Sequence, residues 1–161
     1  MSCLHQTGER AKEVTYQSTK TYGHELGLSA VFRQWRADSH CNLLHGYSLS
    51  FRFVFEATEL DHRNWVMDFG GLKNLKAALH DAFDHKMVVA EDDPKLEVLK
   101  TLAEQGLAEL TIVPAVGCEK FAEYACHLAT AELERQGIAN RVRVVEVECK
   151  EHGANSAIYR S

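Results

Sequence analysis

Cys41 and His45 stand four residues apart, just ahead of a long alternating apolar run. A thiol beside an imidazole or another positive charge loses its proton more readily and becomes available as a base or nucleophile. A buried structural cysteine next to a loop histidine has the same spacing, and from spacing alone that plainer reading is the commoner one. Asp84 and His85 are adjacent at the end of a helical pattern. A carboxylate beside an imidazole can orient it, raise its basicity and support proton transfer, while a histidine at a helix C-terminus also simply complements the helix dipole. Glu151 follows the last strand pattern. A carboxylate there can accept two parallel hydrogen bonds from the amidine-like edge of a heterocycle, or stand solvated in a turn. Cys118 and Glu119, at the start of a helical pattern, either line a pocket or cap the helix.

The elements that position these groups follow from hydrophobic periodicity. Leu26, Leu28, Ala30 and Phe32 alternate with small or polar residues from Tyr22 onward, which predicts one strand with a wet face. The polar segment Gln34 to Leu44 reads as a loop. Tyr47, Leu49, Phe51, Phe53 and Phe55 then alternate with Ser48, Ser50, Arg52 and Glu56, the clearest strand in the chain. Trp65 to Phe69 reads as a continuation of the sheet, and Asp68 leads into a helix with Leu72, Leu75, Leu79, Ala82 and Phe83 on one face. Asp93 and Pro94 open a short helix through Leu96, Leu99 and Leu102, and a brief strand, Leu110 to Val113, follows. A longer helix begins near Cys118, with Phe121, Tyr124, Ala125, Leu128 and Ala131 inward and Gly137 as its stop. In the last element, Arg141 to Lys150, the inward parity changes between Val144 and Val145, which predicts a bulge. The pattern is α+β, an antiparallel sheet with helices on one face.

A chain of 161 residues predicts one domain, with residues 1–18 as a loose extension and 19–161 as the folded unit. Its net charge of −5 gives no electrostatic footprint for nucleic acid or anionic lipid. There is no apolar run of membrane-spanning length and no apolar signal core in the polar start, so the expected compartment is the cytoplasm. Five cysteines, Cys3, Cys41, Cys118, Cys126 and Cys149, are an odd number without zinc-finger spacing and argue against a disulfide framework. Nine histidines invite a search for a metal or proton-transfer site.

Taken in order, the pieces resemble the 6-pyruvoyltetrahydropterin synthase and 6-carboxytetrahydropterin synthase family from Tyr22 to Arg160. The resemblance rests on Cys41 followed by His45 and Gly46, on Val66, Met67, Asp68 and Phe69 leading into Leu72 and Lys73, on Asp84 and His85, and on Glu151 with the ending Ala157 to Arg160. It implies the tunnelling fold: a four-stranded antiparallel sheet with two main helices on one face, whose sheets join between subunits into a barrel as a trimer or hexamer. It further implies sites between subunits that hold a pterin. Cys41 would be the thiolate base, Asp84 and His85 the proton relay, Glu151 the pterin anchor and Glu119 part of the pocket lining.

The resemblance also implies zinc on three histidines, and here the chain departs from the pattern. His45 occupies one ligand position, whereas Phe32 and Tyr47 occupy the other two. Phenylalanine has no lone pair, tyrosine ionises only near pH ~10, and one imidazole does not make the three protein ligands of a catalytic zinc. His24, His40 or Cys41 could rebuild a site with His45; His24 lies eight residues from Phe32 along the strand, so His40 is the better candidate. Without zinc, Phe32 and Tyr47 would form an aromatic wall. The implied activity is that of a lyase acting on dihydroneopterin triphosphate or a related pterin, making 6-carboxytetrahydropterin on the route to queuosine or another 7-deazapurine. The alternative is a non-catalytic or regulatory paralogue that binds a pterin or purine.

Overall fold

The expected long strand forms as β3 (His45–Ala57), and everything else is arranged on its two flanks. A computed structural model describes residues 13–161. One flank carries β1 (Tyr16–Tyr22), antiparallel along Phe51–Ala57, and then β2 (Leu28–Phe32), antiparallel along His45–Leu49. The other flank carries β6 (Val142–His152), which pairs in turn with β7 (Asn155–Arg160). Beyond β2 lie β4 (Lys86–Ala90) and β5 (Glu109–Val113), both parallel to their inner neighbours. Among the described residues the sheet therefore has seven strands and is mixed, larger than the four antiparallel strands expected. A parallel pair needs a crossover, and α2 (Leu96–Glu104) is the crossover from β4 to β5.

Several expected boundaries move, each for a local reason. The single strand expected from Tyr22 to Phe32 is broken by a 3-10 turn at His24–Leu26, closed by Gly27 at φ 74°, a conformation that glycine adopts without strain. Trp65 to Phe69 is not a strand. Asp61 accepts from the backbone N–H of Arg63 and Trp65 (2.8 and 3.1 Å), and Asp68 accepts from Gly70 N–H (2.8 Å), so turns replace the ladder there. β4 escaped notice because it does not alternate: Val88 and Ala90 enter the main core while Met87 and Val89 pack with Leu99 of α2. Part of the expected extension 1–18 lies outside the described residues, and Tyr16 to Ser18 belong to β1.

Helices α1 (Lys73–Phe83) and α3 (Cys118–Arg135) cover one face of the sheet. α1 buries Leu75, Leu79, Ala82 and Phe83, as expected. α3 buries Phe121, Ala122, Ala125, Cys126, Ala129 and Leu133, a stripe rotated from the expected one, so that Ala131 is exposed and Tyr124 and Leu128 are half-buried. Leu49, Phe51, Phe53 and Phe55 of β3 are all inaccessible to solvent beneath these helices. The bulge in β6 forms where expected, with Val54 opposite Glu146 and Phe55 opposite Val144, leaving Val145 as the extra residue. No helix among the described residues is long and apolar enough to cross a membrane.

Phe121 ties this core to the end of the sheet. Its ring meets Phe83 at 5.4 Å and Phe32 edge-on at 5.0 Å. Phe121→Ala is expected to destabilise the fold by about 3–5 kcal/mol through lost burial and the cavity left behind. Denaturant unfolding checks this, and a loss below ~1 kcal/mol would show that the ring is not a core element.

Candidate functional site

The end of the β2/β3 pair builds one wall of the site. Phe32 lies opposite His45 and Ala30 opposite Tyr47 in the antiparallel register. Residues directly opposite share a face, so Phe32, His45 and Tyr47 all point toward the side covered by α3. Phe32 is 5.1 Å from His45 and 6.2 Å from Tyr47 between ring centroids, His45 is 5.6 Å from Tyr47, and His152 at the end of β6 is 5.9 Å from Tyr47. These rings form a continuous aromatic cluster seated on Phe121. His45 Nδ1 lies 2.7 Å from the Leu43 carbonyl. A carbonyl only accepts, so Nδ1 carries a proton, and the lone pair of the neutral ring is on Nε2.

A cavity of about 300 Å³ opens beside this wall. Phe32, Gln34, Cys41, His45, Cys118, Glu119 and Glu151 are among the residues that line it. Four residues singled out from sequence, Cys41, His45, Glu119 and Glu151, are thereby brought together from a loop, a strand start, a helix start and a strand end. Cys41 sits in a 3-10 turn at His40–Asn42 that Ser39 caps by accepting from Cys41 N–H (3.3 Å). His40 is exposed on that turn and is not part of the cavity wall. A larger hollow of about 470 Å³ beside Trp65 and Met67 has Asp68 as its only carboxylate and no thiol or imidazole in its wall.

Asp84 and His85 pair as the sequence suggested but stand elsewhere. Asp84 accepts from His85 Nδ1 at 2.8 Å and from Ser29 N–H at 3.4 Å. The hydrogen bond from His85 is the chief reason its carboxyl is held below the ordinary range. The sheet residues around His85 include Ser29, Val31 and Gly46, which alternate with Phe32, His45 and Tyr47, so the pair lies by the face opposite the aromatic cluster. There His85, with Ser29, Gly46 and Lys86, lines a separate hollow of about 230 Å³. Within one chain the pair and the Cys41 cavity are apart.

Two features of the site leave no signal in the sequence. Gln34, read only as loop, lines the cavity, and its N–H donates to the Cys41 carbonyl (2.9 Å). The Cys149 thiol contacts Cys118 Sγ at 3.7 Å, and burial pushes it well above the ordinary thiol range, so it stays protonated.

Tyr47 bears on metal binding. Burial raises its phenol, and the charge of Glu151 raises it further. In the folded protein Tyr47 is expected to ionise above about pH 10, and Glu151→Gln to bring that ionisation down. Difference titration at 295 nm against Tyr47→Phe checks both, and a Tyr47 that ionises below its ordinary value would contradict the geometry. The three positions at Phe32, His45 and Tyr47 thus offer one imidazole, an inert ring and a neutral phenol, and His152 beyond Tyr47 is the one other imidazole of the cluster. Among the described residues no group of three His, Cys, Asp or Glu side chains is placed to hold a metal ion. The donors present do not fit a three-histidine zinc.

The sheet and the helices that cover one face of it agree with one family of known proteins. The family described as 6-pyruvoyl tetrahydropterin synthase matches residues 23–161, and the chain belongs to it. It is 28% identical over 137 residues to a 6-carboxy-5,6,7,8-tetrahydropterin synthase of Aquifex aeolicus, covering 83% of this chain and 84% of that one. A 6-carboxy-5,6,7,8-tetrahydropterin synthase of Rickettsia typhi is 35% identical over a shorter stretch of 57 residues, 35% of this chain and 41% of that one. Among solved structures, an uncharacterized protein of Wolinella succinogenes superposes with a TM-score of 0.76 at 20% identity, covering 91% of this chain and 98% of that one. A 6-pyruvoyl tetrahydropterin synthase of Plasmodium falciparum gives 0.66 at 13% identity, with 91% and 98% covered. The described residues therefore have the tunnelling fold.

Proposed function

We propose that this chain is a pterin synthase-like lyase of the 6-carboxytetrahydropterin synthase type, acting on dihydroneopterin triphosphate or a related pterin in the cavity between Cys41 and Glu151. The observation that carries the reading is the convergence of Cys41, His45, Glu119 and Glu151 on one cavity of about 300 Å³. Glu151 accepts two hydrogen bonds from the amino-pyrimidine edge of the pterin, Glu119 borders the ring, and Cys41 as thiolate removes a proton from the substrate. Asp84 and His85 of a neighbouring copy complete the relay. Supporting this are their separation from Cys41 within one chain and the strands β1 and β7, each of which has a flank without a partner among the described residues. Self-association into a trimer or hexamer is part of the proposal, as are a cytoplasmic setting and a product that enters 7-deazapurine synthesis.

Zinc, where the family resemblance implies it, would polarise oxygens on the substrate side chain. Phe32 and Tyr47 do not supply its ligands, so the proposal confines this chain to steps that proton transfer accomplishes. The same two residues favour a second reading, a paralogue that binds a pterin without turning it over. Purified protein assayed for metal content, pterin binding and conversion of dihydroneopterin triphosphate separates the two. Turnover that is lost in Cys41→Ala establishes the lyase. Tight binding with no turnover, with or without added zinc, establishes the paralogue, and no pterin binding at all overturns both.

A further inference from the structure

The segment 91–113, which adds α2 and β5 to the sheet, reaches the Cys41 cavity through a short chain of contacts. Its first turn presents two adjacent carboxylates. Asp93, whose side chain is 1% exposed, accepts from Arg33 Nε at 3.0 Å and from Lys95 N–H at 2.8 Å. Asp92 accepts from Trp35 Nε1 at 3.2 Å and from Arg36 Nη2 at 2.8 Å, and the Arg36 guanidinium lies 4.0 Å from the Trp35 ring centre. The residue between these anchors is directed to the site instead. Gln34 donates from Nε2 to the Val116 carbonyl at 3.2 Å and from its backbone N–H to the Cys41 carbonyl at 2.9 Å. Segment 33–36 thus leaves the aromatic wall at Phe32, is gripped on one side by the two aspartates, and on the other holds the turn that carries Cys41.

We propose that Asp92 and Asp93 are positioning residues for Cys41, acting through segment 33–36 and Gln34. The two contribute unequally. An exposed ion pair such as Arg36 with Asp92 contributes little by itself, and here it is reinforced by the indole N–H and the stacked guanidinium. Asp93 is the stronger anchor, because a carboxylate shielded from water has to be paired where it stands. A positioning role also explains why the turn has two aspartates in succession: each takes a donor from a different residue of one short segment, which fixes the segment's rotation as well as its location. The inference rests on the functional reading above only in taking Cys41 as the proton-transfer group.

The test uses the full chain with Asp93→Asn, Asp92→Ala, Asp92→Glu, and Lys100→Ala as a control on the exposed side of α2. The main readout is the rate at which iodoacetamide alkylates Cys41 at pH 8, followed by mass of the Cys41 peptide, with Tm and the Kd for dihydroneopterin measured alongside. Release of the half-buried thiol is expected to raise the alkylation rate at least threefold in Asp93→Asn and Asp92→Ala, to leave it near the wild-type value in Asp92→Glu and Lys100→Ala, and to weaken pterin binding in the first two. Wild-type alkylation rates in both aspartate variants, even with a lowered Tm, would overturn the proposal and leave the segment a structural role alone. If Asp93→Asn does not fold, Asp92→Ala decides by itself. Alkylation needs no pterin, so a chain in which no form binds dihydroneopterin refutes the functional reading while the Cys41 rates still decide the positioning.

Discussion

Phe32→His combined with Tyr47→His is expected to give a protein that binds zinc stoichiometrically, whereas the parent, with His45 the only imidazole at the three family ligand positions, is expected not to. The geometry favours it. Both rings already lie near His45, at 5.1 and 5.6 Å between centroids, on one face of the sheet. The His45 Nε2 lone pair is free because Nδ1 is held by the Leu43 carbonyl, which is the outer hydrogen bond that orients a ligating imidazole. Without metal the double variant is expected to be less stable. Phe32 is 3% exposed and packs edge-on against Phe121, and an imidazole buried without a partner costs about 1–3 kcal/mol. A ligand present at about a thousand times its Kd returns ~4 kcal/mol, so zinc is expected to restore or exceed the parent Tm. Metal analysis after dialysis and thermal unfolding with and without zinc read out both parts. A double variant that takes up no zinc would mean that Phe32 and Tyr47 do not stand at the ligand positions that the family resemblance assigns.

Glu151→Gln is expected to weaken pterin binding by about 1.5–3 kcal/mol, the contribution of a hydrogen-bonded charged group, or roughly 10- to 160-fold in Kd. The substitution keeps the shape of the side chain while removing its charge and replacing one of its two acceptor oxygens with an amide donor. The pterin edge presents donors to that position, so one hydrogen bond of the pair is lost and the other loses its charge. Glu151 stands at the end of β6 and is only half-buried, and the fold itself is expected to be little affected. Isothermal titration with a pterin and an unfolding curve on the same preparation separate the two effects. Equal affinity in the two proteins would remove Glu151 from the role of anchor and leave Glu119 as the carboxylate to test.

How much of this was legible from the residues follows from what each element buries. β3 was plain because its helix-covered face takes Leu49, Phe51, Phe53 and Phe55 in strict alternation. β4 was invisible to the same test because both of its faces are covered, and β1 because its sequence is polar and mostly solvent-facing. For the site, the order of Cys41, His45, Asp84, His85 and Glu151 along the chain was enough to name the family, and adjacency was enough to pair Asp84 with His85. Adjacency does not say on which face of the sheet such a pair falls, and that depends on the parity of Ser29 and Phe32 along β2. Gln34 was out of reach for another reason. Its role is made of a backbone N–H and a carbonyl 82 residues away at Val116, and neither leaves a trace in residue type.

The irregularities of β6 decide which way its end faces. Before Val145 the strand turns its even-numbered residues, Val142 and Val144, toward the helices. After it the odd-numbered Val147 and Cys149 are the buried ones. Glu151 shares their parity, and a second irregularity between Lys150 and His152 leaves it without a partner in the β7 ladder. One supernumerary residue thus acts as a half-period phase shift, and the carboxylate at the cavity owes its direction to a valine six positions earlier in the chain. Shortening the strand by Val145 would restore an unbroken alternation, at the cost of turning every later side chain of β6 over, so that Glu151 would exchange faces with the lysine that precedes it. The sheet can therefore tolerate a change of residue at this point far better than a change of length.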